Sequence, residues 1–147
     1  MKGYYMGVDP GQSGAVVVID GDGRCVGRIK LSETAADISD AVRLWAQDVK
    51  LCMLEKVHSM PRQGVASTFK FGTSYGFCMG VLSALRVRHE MVTPHTWQSR
   101  MKCKSGGDKK VTKAAAQRLF PDEEITHAFA DAYLIAEYAR RYSLGIR

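Results

Sequence analysis

Tyr4-Tyr5-Met6-Gly7-Val8-Asp9-Pro10-Gly11-Gln12-Ser13-Gly14-Ala15-Val16-Val17-Val18-Ile19-Asp20 consists of two apolar runs around a turn-forming centre. The first run reads as a buried strand that ends on Asp9. Pro10 to Gly14 reads as a turn, and Ala15 to Asp20 as a second, β-branched strand. Gly21-Asp22-Gly23 is a tight turn into a third strand, about Cys25 to Leu31. Connections this short join antiparallel neighbours, so the three form a meander.

Outward from this meander the pattern turns helical. Ile38, Ala41, Val42, Trp45 and Val49 share one face, which predicts a helix over Thr34 to Val49 with Ser32 or Thr34 as its cap. Leu51 to Leu54 is a short fourth strand ending on Glu55. A loop containing Pro61 leads to a second helix, about Ala66 to Leu85, in which Gly72, Gly76 and Gly80 recur at intervals of four. A bare stripe of this kind suits close packing on a strand or a partner helix, or the close approach of a ligand's backbone. Val87 to Val92 alternates as a fifth strand. Pro94 opens a short helical turn whose Trp97 is expected to pack on the sheet. Ser105-Gly106-Gly107 marks a loop, and helices follow at about Lys110 to Leu119 and Thr126 to Tyr142. With no repeat or linker, residues 1–147 read as one domain. The order β-β-β-α-β-α-β-α-α predicts an α/β fold with a mixed five-stranded sheet flanked by helices. This is the ribonuclease H-like layout, in which strands one and four lie side by side.

Composition narrows the function classes. Apolar content of 46% and charged content of 24% are those of a folded globular chain rather than a disordered one. The longest uninterrupted apolar run, Ala15 to Ile19, is far short of the roughly 18–20 residues that span a bilayer. No membrane association or secretory signal is expected. Cys25, Cys52, Cys78 and Cys103 lack CxxC spacing and read as reduced thiols of a cytoplasmic protein. A two-lobed ATPase does not fit into 147 residues. The net charge of +6 suits a polyanionic partner or simple solubility.

The acids carry the chemistry. Asp9 ends strand one and Glu55 ends strand four, so both emerge at the same sheet edge, about 5 Å apart. Asp131 lies early in the last helix, one turn after His127. Ala128, Ala130 and Ala132 are expected to let that helix approach the sheet. Three acids and a histidine on adjoining elements can hold two divalent cations roughly 3.5–4 Å apart, an arrangement that hydrolyses phosphodiesters. Singly, each has a duller reading: a turn former for Asp9, a surface charge for Glu55, a helix-dipole partner for Asp131.

Met6 to Ala15 resembles the opening motif of RuvC-family Holliday junction resolvases, particularly their bacteriophage branch. Met53-Leu54-Glu55-Lys56-Val57-His58 is similar to the family's second acidic strand. Phe69-Lys70-Phe71-Gly72 with Tyr75-Gly76 is similar to its glycine-bearing helix, and Phe129 to Tyr138 to its closing helix. The resemblance implies that Asp9, Glu55 and Asp131 are catalytic metal ligands for two Mg²⁺ or Mn²⁺ ions per active site. Phage relatives place another Asp where His127 stands, and some cellular resolvases use a histidine nearby. His127 is therefore a candidate ligand or proton handler, against the alternative of a helix N-terminal histidine without a catalytic role. Asp122, Glu123 and Glu124 would then be substitutes, or a solvated turn and cap. An imidazole in the set tilts the expectation toward Mn²⁺.

From Arg100 to Arg118 there are seven basic residues and one acid, Asp108, which reads as a phosphate track or a solvated helix face. Lys102, Lys104, Lys109, Lys110 and Lys113 are its DNA-binding candidates. His58 stands where cellular relatives carry a base-stacking aromatic, with Met60 and Arg62 beside it. Phe69 and Phe71 are expected in the core or at a dimer interface. The resemblance implies paired symmetric nicks in four-way DNA, leaving 5′-phosphate and 3′-hydroxyl ends, by a homodimer in the cytoplasm of a bacterium or phage-infected host. A general nuclease for branched DNA, one acting on ribosomal RNA precursors, and a non-catalytic junction-binding protein are the competing readings. The short RNA-processing relatives' Asp-Glu-Arg-Leu motif is absent.

Overall fold

A computed structural model describes residues 3–58 and 62–147 of the chain. Met60 and Pro61 lie outside the described residues. The strands are β1 (Tyr4–Asp9), β2 (Ala15–Asp20), β3 (Cys25–Lys30), β4 (Val49–Glu55) and β5 (His89–Val92). They form one sheet in the order β3-β2-β1-β4-β5. The β1–β2 and β2–β3 pairs are antiparallel, while β1–β4 and β4–β5 are parallel. The helices are α1 (Ala35–Ala46), α2 (Val65–Ala84), α3 (Pro94–Arg100), α4 (Lys109–Leu119) and α5 (His127–Leu144). This is the mixed, helix-flanked ribonuclease H-like sheet that the sequence predicts.

Both faces of the sheet are covered, which explains why β2 and β4 read as unbroken apolar runs rather than alternating ones. Ala15, Val17, Ile19, Leu51 and Met53 face α3, α4 and α5. Val16, Val18, Cys52 and Leu54 face α1 and α2. A register shift between Tyr4 and Tyr5 pairs them with Val49 and Leu51, skipping Lys50. The skipped residue puts Val49 on the α1–α2 side with its even-numbered neighbours.

That pairing also corrects the expected extent of the first helix. Val49 joins β4 opposite Tyr4, and α1 stops at Ala46. Thr34 caps α1 as expected, its hydroxyl accepting from the Asp37 amide at 3.1 Å. The glycine stripe does not pack within the chain. A Cβ at Gly72, Gly76 or Gly80 would meet nothing within 4 Å, because α2 buries only Cys78 and Leu82, both in its second half. Phe69 is likewise not core, being 75% exposed. Among the described residues no helix is long and apolar enough to cross a membrane. The four cysteines are free thiols.

Candidate active site

Parallel pairing sets the first part of the site. Val8 lies opposite Leu54, so the next residues, Asp9 and Glu55, leave β1 and β4 together at one sheet edge. Glu55 also pairs with Val92, so the chain after β5 emerges at that edge and turns at once into α3. The antiparallel partner of Asp9 is Ala15, at the start of β2. The edge therefore gathers the ends of three strands and the start of a fourth. It is also where α5 brings its N-terminal half.

Gly7 is what lets α5 come so close. A Cβ there would fall on the backbone nitrogen of Ala136 and the backbone oxygen of Ala132. Ala132 and Ala136 are fully buried against it. The approach thus runs through Ala132 and Ala136 rather than Ala128, which stays partly exposed. Asp131, adjacent to Ala132, is carried toward Asp9. The three acids sense one another: Glu55 and Asp131 both raise the pKa of Asp9, and Asp131 raises that of Glu55.

Each acid is held differently. Glu55 is only 9% exposed, and its Oε2 accepts a 2.7 Å hydrogen bond from Trp97 Nε1 on α3. Its carboxyl is pushed up to about 7, chiefly by burial, with the Trp97 bond working against the rise and the charge of Asp131 adding to it. Burial also lifts Asp131, while hydrogen bonding from Thr112 and the charge of Lys109, both on α4, draw it down. Asp9 has no side-chain hydrogen bond or ion pair among the described residues. Burial and the two neighbouring acids push it well above the usual carboxylate range, and Lys109 offsets this only in part. Crowded carboxylates with too little countercharge either bind protons or bind a cation.

The donor set suits a hard divalent ion. Among the described residues no three His, Cys, Asp or Glu side chains stand close enough together to hold a metal ion by themselves. Mg²⁺ ordinarily takes one or two carboxylates and keeps waters and phosphate oxygens as its other ligands. Three oxygen-donor side chains at an open edge fit an ion that arrives with such ligands. The chain's thiols are poor competitors. Burial pushes Cys78, near Asp9, up to about 12 and Cys103, near Asp131, up to about 11.

The basic segment meets Asp131, but neither Asp9 nor Glu55, in an open cleft of about 660 Å³. Asp131, Lys109 and Thr112 line one side, and Lys104 with the Ser105-Gly106-Gly107 loop lines another. Gly106 and Gly107, which line the cleft, have φ values of +58° and +91°, a backbone conformation that favours glycine. Asp108, the lone acid of the segment, caps α4 by accepting from the Lys110 amide at 2.9 Å. Lys102 and Lys110 are exposed and Lys113 is partly buried, but none lines this cleft. His58 and Arg62 are exposed on the connection between β4 and α2, with Arg62 at a φ of +68°. His127 is exposed at the first position of α5 and makes no hydrogen bond or ion pair among the described residues.

Three contributors escaped the sequence reading. His95 lines the cleft with Asp131, and its signal was Pro94 directly after a strand parallel to β4. Trp97 packs as expected but also bonds Glu55, which no periodicity reveals. Thr112 looked like an ordinary helix residue.

The arrangement defines a ribonuclease H-like sheet with acids gathered at one edge beside a basic cleft. A structure of RuvC from Thermus thermophilus matches it with a TM-score of 0.65 at 15% identity, covering 97% of each chain. T. thermophilus RuvC in complex with a Holliday junction substrate matches with a TM-score of 0.66 at the same identity and coverage. No protein-family model and no curated protein sequence matches the chain. At this identity the likeness establishes the fold.

Proposed function

We propose that the protein is a metal-dependent, structure-selective DNA endonuclease that resolves Holliday junctions by paired symmetric nicks. One observation carries the reading: three buried or partly buried acids are coupled at the sheet edge, and one of them, Asp131, lines a cleft with Lys104 and Lys109. RuvC-like topology and the four sequence motifs support it. The bacteriophage assignment rests on those motifs alone, a cytoplasmic setting on the motifs together with the unpaired cysteines, and the chain is taken as one nuclease domain.

Asp9, Glu55 and Asp131 would hold the divalent cations, Mg²⁺ or Mn²⁺, with His127 as a further ligand or proton handler. When bound, such ions activate a water and stabilise the leaving oxygen of a phosphodiester. The chain's own residues supply the rest. Lys104 and Lys109 attract the phosphates to the cleft, whose wall the glycine loop forms in part. Lys102, Lys110 and Lys113 extend the positive field to neighbouring phosphates. His58 and Arg62, both exposed, are the candidates for contact with an arm of the junction. A junction has two equivalent strands to cut, so paired incision calls for two sites in a C₂ dimer. The unfilled glycine stripe and exposed Phe69 support α2 as the dimer face.

The test is a labelled synthetic four-way junction incubated with and without Mg²⁺ or Mn²⁺, beside duplex, Y-fork and RNA controls. Symmetric nicks confined to the junction and dependent on the metal are expected. Equal cutting of Y-forks would make it a general branched-DNA nuclease. Binding without any nick would make it a junction-binding protein.

A further inference from the structure

We infer that Trp97 is a positioning residue for the metal site, fixing Glu55 so that one carboxylate oxygen is engaged and the other is left for a ligand. The inference rests on the metal-binding reading of the acids and deepens it.

The indole is fully buried, Glu55 is 9% exposed, and the bond between them is 2.7 Å. A buried indole N–H needs an acceptor, and here the acceptor is a carboxylate at the sheet edge beside Asp9 and Asp131 rather than a backbone carbonyl of the core. An acid that served only the fold would be expected to meet a cation rather than a neutral donor. A neutral donor orients a carboxylate without cancelling its charge. That is the requirement for an acid that must still attract a divalent ion. Asymmetric engagement also fixes which oxygen faces the edge, because Oε2 is turned toward α3. Side-chain partners of this kind behind metal ligands typically contribute about 10–100-fold in metal affinity or activity.

The local sequence explains how Trp97 reaches Glu55. β5 ends at Val92, the register partner of Glu55. Thr93 caps α3, accepting from the Thr96 amide, and Pro94 opens it, so the helix starts immediately beyond the strand. Trp97 lies one turn in and returns over the strand end. Thr112 lowers the pKa of Asp131, but its hydroxyl donates to the Lys109 carbonyl at 3.3 Å, and Asp9 has no side-chain hydrogen bond among the described residues.

The chain has two tryptophans, and Trp45 provides an internal control. It belongs to the opposite face of the sheet, against Gly27 on β3. The experiment records the two indole N–H resonances of ¹⁵N-labelled full-length protein during titration with Mg²⁺, assigned with a Trp45→Phe variant. In parallel, Mn²⁺ binding to wild type and Trp97→Phe is measured by electron paramagnetic resonance without DNA. The Trp97 resonance is expected to shift with Mg²⁺ occupancy while that of Trp45 stays fixed. Trp97→Phe is expected to bind Mn²⁺ about tenfold more weakly, with an unchanged junction KM and a rate restored by excess Mn²⁺. If Trp97→Phe does not fold, the wild-type resonances decide alone. A Trp97 signal indifferent to Mg²⁺ in a protein that demonstrably binds Mn²⁺ overturns this inference and leaves the metal site standing. A wild type that binds no Mn²⁺ overturns the metal reading and this inference with it.

Discussion

The backbone of Ala136 occupies the place where a β-carbon on Gly7 would lie. Gly7 is in the middle of β1 and Ala136 in the middle of α5, so this contact sets the spacing between the central strand and the last helix. Asp9 lies two residues beyond Gly7, and Asp131 lies just over one turn before Ala136. A packing contact and the geometry of the acids are therefore the same feature.

Gly7→Ala should consequently be among the most damaging small substitutions in the chain. The methyl group meets backbone rather than a movable side chain, so α5 must shift. Overpacking of this kind costs about 1–3 kcal/mol and occasionally more. A urea midpoint close to wild type would show that α5 yields without cost. A folded variant should still lose cleavage, because Asp131 moves with the helix.

Asp131→Asn should abolish cleavage while leaving junction binding intact. The amide keeps the volume and can still accept from Thr112, but it removes the negative charge a cation needs. Gel-shift and cutting assays on one junction separate the two properties. Cutting at the wild-type rate would remove Asp131 from the site.

The fold was legible because its apolar runs are long and its turns carry glycine, proline and aspartate. Asp9 and Glu55 could be placed because a parallel pair of strands brings residues at their ends to one edge. Legibility ended where contacts are long-range and orientation-dependent. Nothing near Trp97 in the chain indicates that its N–H points at residue 55. Val49 was misplaced because it satisfies the helical spacing of α1, and only pairing with Tyr4 assigns it to β4. The stripe of Gly72, Gly76 and Gly80 was visible, but not that it faces away from the chain's own core.

Stability should depend on pH through Glu55. Its carboxyl is raised from 4.5 to about 7 in the folded protein. Between those values the folded state binds the proton and the unfolded state does not. Stability therefore falls as pH rises through this window, by on the order of 3 kcal/mol, and levels above it. A divalent cation reverses the trend by favouring the ionised acid. Thermal denaturation in EDTA should show the decline, and Mg²⁺ or Mn²⁺ should raise Tm more at pH 8 than at pH 5. Asp9 and Asp131 are raised in the same direction and add to the decline, so Glu55→Gln should make the EDTA profile shallower without removing it. A profile just as steep in that variant would assign the effect elsewhere.

The two histidines can be separated by substitution. His127 precedes Asp131 by one turn, whereas His95 lines the cleft that contains Asp131. If His127 is a ligand or proton handler, His127→Ala should slow metal-titrated cleavage by on the order of 10²-fold. An unchanged rate would eliminate that role. A matching loss in His95→Ala alone would transfer it to α3.

Lys104 and Lys109 share the cleft but should fail in different ways. Each phosphate contact contributes about 0.9 to the slope of log K against log salt. Lys104→Ala and Lys109→Ala should therefore each make junction binding less salt-sensitive by about one unit. Lys109 has a second task, because its charge lowers the pKa of both Asp9 and Asp131. Its removal leaves those acids holding protons to higher pH, so the rising limb of the cleavage profile should move upward. Lys104→Ala should keep the wild-type profile once its weaker binding is overcome by excess protein. Binding isotherms at several salt concentrations and single-turnover rates across pH distinguish the two. If Lys109→Ala alters the salt slope and leaves the pH profile in place, the residue serves the DNA backbone alone.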